Sequence, residues 1–114
     1  MKKILFAVFV IITTSSCSAP KDLYSWYNYE DATYTYSKKR TDELQAKVLK
    51  QYEKIVSKQK GIRKTVPPGL YAEYGYLLYS TGKQEEGLNC LKKEIELYPE
   101  SEVYISRIIK QLEK

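Results

Sequence analysis

Apolar positions along the chain recur at spacings that predict helices. Leu44, Val48, Tyr52, Ile55 and Val56 follow one another at steps of four, four, three and one, the spacing of one helical face. They predict an amphipathic helix from Asp42 to Gln59, capped by Thr41, with Asp42 and Glu43 complementing its positive start. Gly61 and the following Val66-Pro67-Pro68 are expected to end it. Its other face carries Lys47, Lys50, Glu53, Lys54 and Lys58, as a solvated surface would. Tyr104, Ile105, Ile108, Ile109 and Leu112 form a second stripe, expected of a C-terminal capping helix. The upstream stretch "YSWYNYEDATYTYSKKR", residues 24–40, suits a strand by composition. Trp26, Tyr29 and Tyr36, at steps of three and seven, nevertheless permit one helical face, so the reading is a loop followed by a short helix.

Residues 68–101 carry a finer pattern. Counting Pro68 as the first of a 34-residue unit, Tyr74, Gly75, Leu78, Gly82, Gly87, Leu91 and Pro99 fall at seven, eight, eleven, fifteen, twenty, twenty-four and thirty-two. This order of bulky and small residues resembles a tetratricopeptide repeat. Gly75 and Gly87 would let two antiparallel helices approach, Gly82 would permit the turn between them, and Pro99 would stop the second. Gly87 stands where alanine is usual, at up to about 1 kcal/mol of helix propensity. Glu94 also takes a common alanine place, and is read with Glu96, Glu100 and Glu102 as belonging to helical surfaces or turns. One such unit cannot bury its own faces, so the Tyr-rich segment and the Asp42 helix are expected to supply an upstream pair. The expected fold is all-α: tetratricopeptide-like antiparallel helix pairs with a C-terminal capping helix, spanning residues 24–114, with 68–101 the best-defined repeat.

The N-terminus carries a different signal. A basic start at Lys2 and Lys3, then nine apolar residues from Ile4 to Ile12, then Thr13 to Ser16, reads as a cleaved secretory signal over residues 1–16. The apolar run is far short of the roughly 20 residues that span a bilayer. The ending "TTSSC" resembles the lipobox of bacterial lipoproteins, in which small residues precede a cysteine that receives acyl chains such as palmitate; Cys17 is then the lipid attachment residue and residues 17–23 a tether. Two or more chains make a stable anchor. Ser18, rather than aspartate, after the cysteine favours the outer membrane, with the domain facing the periplasm. Cys90 would be left without a disulfide partner, as a small buried residue rather than a reactive thiol.

Charge and chemistry narrow the function. Removing Lys2 and Lys3 with the signal lowers the formal net charge from +5 to +3, and basic residues are scattered among glutamates, so nucleic acid is not an expected partner. The chain has no histidine, which excludes histidine-based triads and histidine metal ligands. No phosphate-cradling glycine loop is present, and Glu85 and Glu86 sit where they complement a helix start. The reading is a non-catalytic protein without metal or cofactor.

Binding is the remaining class. At about 100° per residue, Tyr71, Tyr74, Gly75 and Leu78 share one face, that of the repeat's own packing, and Ala72, Tyr76 and Tyr79 share another. In tetratricopeptide proteins the second face lines the concave groove, making Tyr76 and Tyr79 the candidate partner contacts. The alternative is glycan or cell-wall binding by ring stacking on Trp26, Tyr27 and Tyr29.

The combination of "LYSWYNYE" soon after the cysteine, "VPPGLYAEYGYLLYSTGK" and "EIELYPES" resembles a family of small, uncharacterised bacterial lipoproteins. That family tends to have Trp-Gly where this chain has Trp26-Tyr27, so a tight turn is not expected there. The resemblance implies encoding beside a lipoprotein similar to the curli-secretion channel, and hence an envelope protein as partner. It implies no catalytic residues.

Overall fold

A computed structural model describes residues 22–114. The signal segment 1–16, the candidate lipid attachment residue Cys17 and most of the tether 17–23 lie outside the described residues. The described chain is all-helical: α1 (Tyr29–Lys38), α2 (Asp42–Ser57), α3 (Leu70–Ser80), α4 (Gln84–Leu97), a short 3₁₀ turn (Pro99–Ser101) and α5 (Glu102–Leu112). None of these helices is long and apolar enough to cross a membrane.

Despite the strand-like composition of residues 24–40, residues 29–38 are helical, because packing of Ala32, Tyr29 and Tyr36 on the core outweighs local propensity. Thr33 and Thr35 donate to the carbonyls of Tyr29 and Asp31 four residues back, at 2.8 and 2.7 Å. Ala32 supplies the one buried contact of α1, and Tyr29 and Tyr36 lean on the same core. Thr41 caps α2 as expected, its hydroxyl accepting from the Leu44 amide at 3.3 Å.

The end of α2 departs from expectation. The helix stops at Ser57, two residues before Gln59, and Gly61 does not cap it. Gly61 is glycine because the N-terminal segment lies directly on it: a Cβ there would sit 2.2 Å from the Leu23 carbonyl oxygen and 2.4 Å from Tyr24 Cα. Two bonds hold that crossing, Ile62 N–H to Asp22 O at 3.0 Å and Arg63 N–H to Leu23 O at 3.1 Å. Gln59 clasps the neighbouring Ser25, accepting from its amide and donating to its carbonyl.

Helices α3 and α4 meet backbone to backbone. A Cβ on Gly75 would lie 2.6 Å from the Gly87 carbonyl oxygen, and one on Gly87 2.5 Å from that of Gly75. Between them Gly82 adopts φ +101°; its amide bonds to Tyr79 O and that of Lys83 to Leu78 O, the Schellman ending that favours glycine. α4 ends at Leu97, and Pro99 opens the 3₁₀ turn. Val48, Tyr52, Ile55, Val66 and Leu70 form one core with Ala32, and Leu78, Leu91 and Ile105 are buried farther along. Tyr98 fastens the far turn to the connection, its hydroxyl donating to Val66 O at 2.6 Å.

The C-terminal stripe is only partly a packing stripe. Ile105 is buried and Ile108, Ile109 and Leu112 are half-buried, whereas Tyr104 is 68% exposed. On a helical wheel Tyr104, Ile108 and Gln111 lie roughly 90° around from Ile105, Ile109 and Leu112, and that second face meets no other helix.

Candidate functional site

The free face of α5 opposes a free face of α3, and the space between them is a groove. Gly69, Ala72, Glu73 and Tyr76 line one wall and Tyr104, Ile108, Gln111 and Leu112 the other, around a volume of about 670 Å³. Tyr76 is 54% exposed. Tyr79 lies differently: it is half-buried, its Cβ is close to the position a Gly87 side chain would need, and its hydroxyl donates to Leu112 O at 2.8 Å. Of the two candidate partner contacts, Tyr76 presents its ring to the groove and Tyr79 ties α3 to the end of α5.

Glu73 joins the groove to the first helix pair. Its Oε2 accepts from Tyr29 at 2.7 Å and from Tyr52 at 3.1 Å. Burial first, and Glu73 next, push both phenols well above the usual tyrosine range, so both remain protonated donors. The groove therefore offers one carboxylate among aromatic and aliphatic surface.

The Tyr-rich segment builds a ladder of rings. Centroid separations run 6.3 Å from Tyr24 to Trp26, 5.1 Å on to Tyr29, 5.9 Å to Tyr52 and 5.8 Å to Tyr74, distances at which aromatic pairs attract. Trp26 precedes α1 rather than sharing its face with Tyr29 and Tyr36. Tyr27 does make a tight turn, with φ +50°, a conformation that costs a residue with a Cβ about 1–2 kcal/mol. Its ring lies under Lys54 Nζ at 4.6 Å and its hydroxyl donates to Lys58 O. Trp26, Tyr27 and Tyr29, the alternative glycan-binding set, line a shallow cleft of about 380 Å³ together with Glu30.

Glu94 is not at the surface: it is 2% exposed. Gly69, the residue before α3, has φ +88° and no side chain with which to cap the helix. Glu94 supplies the cap from α4, accepting from the Gly69 amide. Burial raises its carboxyl above the ordinary carboxylate range, opposed by the Gly69 and Tyr71 amides, and its Oε2 has no protein partner. Cys90 is half-buried beside Gly75; burial, with Glu86 second, holds its thiol above its usual range, which disfavours the reactive thiolate. Among the described residues no group of three or more acidic or cysteine side chains could hold a metal ion.

Residues 23–108 match the family described as Domain of unknown function (DUF4810). The chain belongs to that family. The match runs from the segment crossing Gly61 to Ile108 of the groove, so the DUF4810 region contains the ring ladder, both helix pairs and most of the groove. No curated protein and no solved structure matches the chain.

Sequence reasoning missed Glu73, Tyr104 and Ile108 as groove residues and Glu94 as a cap. A wheel drawn for α5 would have shown Tyr104, Ile108 and Gln111 as a face of their own. Nothing local marks Glu73 or Glu94, whose partners lie 21–44 residues away.

Proposed function

We propose that this DUF4810 protein is a non-catalytic scaffold of tetratricopeptide-like type, anchored through acylated Cys17 to the outer membrane of a bacterial envelope and facing the periplasm. It positions a protein partner, and the channel-like lipoprotein implied by the sequence resemblance is the first candidate. The observation that carries the reading is the α3–α5 groove, where Tyr76 and Tyr104 stand exposed on helices whose other faces are packed. Tyrosine gives contact area at low entropic cost, and Glu73 favours a segment carrying a basic side chain beside apolar ones.

A photo-cross-linker at position 76, compared with one at exposed Lys92 on α4, should capture a discrete envelope protein only from the groove. Equal capture from both positions, or none from either, would remove the scaffold reading. Labelling with an alkyne fatty acid should be lost in Cys17→Ser; unchanged labelling would reject that anchor. The cleft at Trp26, Tyr27 and Tyr29 favours a second reading, a glycan-binding face, which absence of retention on purified peptidoglycan and lipopolysaccharide would eliminate.

A further inference from the structure

Charge is divided between the two halves of the domain. Residues 22–66 hold ten basic and six acidic side chains, whereas residues 67–114 hold six basic and eight acidic. Among the described residues the one ion pair is Lys93–Glu96 at 3.5 Å, on α4, so no basic side chain of the first half has a carboxylate within salt-bridge distance. Four lysines, Lys47, Lys50, Lys54 and Lys58, follow each other along α2 at steps of three, four and four, which places them on one side of that helix. Acidic groups are near but fewer: Asp31 lines the α1–α2 furrow with Lys47, Lys50 and Lys54, Glu53 lies beside Lys50, Lys54 and Lys58, Glu30 lies beside Trp26 and Tyr27, and Asp22 is at the Gly61 crossing.

The same end of the domain exposes apolar side chains. Leu23 is 53% and Ile62 55% exposed, and the backbone bonds at the Gly61 crossing set the two strands of chain side by side. Trp26 and Tyr27 are also exposed, at 41% and 39%, and Tyr27 is tied to Lys54 and Lys58. Asp22, where the described chain begins, is part of this crossing. The tether that precedes it, with Cys17, therefore joins the domain at this face.

We propose that the tether end of the domain is a docking surface for an anionic phospholipid bilayer. Leu23 and Ile62 enter the headgroup boundary, Trp26 and Tyr27 lie at the interfacial level favoured by such rings, and Lys54, Lys58 and Arg63 meet the lipid phosphates. Apolar insertion and electrostatic attraction add in such contacts, and each basic residue near an anionic surface contributes a factor of roughly five in binding. The surface is independent of acylation at Cys17 and of any partner in the groove.

Every core side chain lies between Ala32 and Ile105, so residues 18–114 without lipid contain the packing that the fold uses. That protein should co-sediment with phosphatidylethanolamine/phosphatidylglycerol vesicles and not with phosphatidylcholine vesicles. Trp26, the single tryptophan, should shift its emission to the blue on binding. Lys54→Gln with Lys58→Gln should weaken binding roughly twenty- to thirtyfold, with helicity unchanged by circular dichroism. Leu23→Ser with Ile62→Ser should weaken it severalfold and reduce the emission shift. Absence of binding, equal binding to neutral vesicles, or binding untouched by both double variants would overturn the proposal. Retention on a soluble polyanion equal to that on vesicles, without a Trp26 shift, would overturn it too and assign the lysines to polyanion binding.

Discussion

In the α3–α4 hairpin the two backbones touch, each glycine's missing Cβ occupied by the other's carbonyl oxygen at 2.5–2.6 Å. In the α1–α2 hairpin the helices are joined by side chains: Ala32 against the Val48–Tyr52 core, Tyr29 stacked on Tyr52, and Gln51 accepting from the Asn28 amide at 3.1 Å. The first contact is short-range and intolerant of volume. The second spreads over rings that can tilt and repack. Two hairpins of similar outline should therefore respond to substitution very differently.

Gly87→Ala is the sharpest way to break that contrast. Alanine recovers up to about 1 kcal/mol of helix propensity, and an alanine is the expected occupant of this place in a tetratricopeptide-like pattern. Yet the added Cβ meets Gly75 O at 2.5 Å and Tyr79 N at 2.8 Å, both backbone atoms that cannot swing aside. Overpacking costs about 1–3 kcal/mol, and against backbone atoms the upper end applies, so a net loss of about 2 kcal/mol is expected from urea unfolding, with the slope unchanged. An alanine tolerated without loss would show that the helices can separate freely.

Gly61→Ala tests a glycine of the same type in the first half. Its Cβ would collide with Leu23 O and Tyr24 Cα, but the segment it displaces is a terminal one held by a few hydrogen bonds. The expected loss is about 1–2 kcal/mol, concentrated as faster hydrogen exchange at the Ile62 and Arg63 amides, while the amides of α3 and α4 keep their protection. Loss of protection throughout would mean that the crossing supports the whole core.

The sequence makes these two glycines unequally visible. Gly75 and Gly87 stand twelve residues apart in a known order of bulky and small positions, and their meeting follows from a hairpin whose turn, at Gly82, is itself marked. Gly61 follows the periodic run of α2, where glycine commonly ends a helix, and nothing in the sequence marks its actual neighbour, Leu23, which lies in a segment with no periodicity. The helices were legible from spacing; α1 follows a loop as expected, but Trp26, one of the three residues of its expected face, precedes it. Of the groove, Tyr76 was legible and the α5 wall was not, since Tyr104 was counted with a stripe that it only borders. Glu94 was unreadable for a physical reason: its role is defined by Gly69, twenty-five residues away.

Glu94 carries a pH signature that should separate the two halves. Its carboxyl is raised by burial, so the folded chain holds a proton where the unfolded chain has lost it. The resulting contribution is fully present below the ordinary carboxylate value near 4.5 and is lost as pH rises through the raised one. Stability of the native protein should fall over that interval by more than that of Glu94→Gln, which keeps an oxygen for the Gly69 amide and has no proton to lose. Parallel pH profiles for the two proteins would show that the carboxyl is not desolvated. Because the cap lies at the start of α3, the difference should appear in exchange of the Tyr71 and Ala72 amides before those of α1.

The smallest effect is expected at Tyr27, and it bears on why the two hairpins differ. Replacing it by glycine removes about 1–2 kcal/mol of left-handed backbone strain. It also removes the contact with Lys54, about 0.5–1 kcal/mol at an exposed site, and the hydrogen bond to Lys58 O, about 1 kcal/mol. These terms nearly cancel, so Tyr27→Gly should leave the unfolding midpoint within about 0.5 kcal/mol of the native protein, and Tyr27→Phe should lose about 1 kcal/mol by keeping the strain without the hydrogen bond. Strain and contacts at Tyr27 nearly offset each other, so stability alone gives no reason for a tyrosine in this turn. Vesicle binding in the same two variants then decides the matter: Tyr27→Gly should weaken it and Tyr27→Phe should not, because the ring is the part that would lie at the lipid surface.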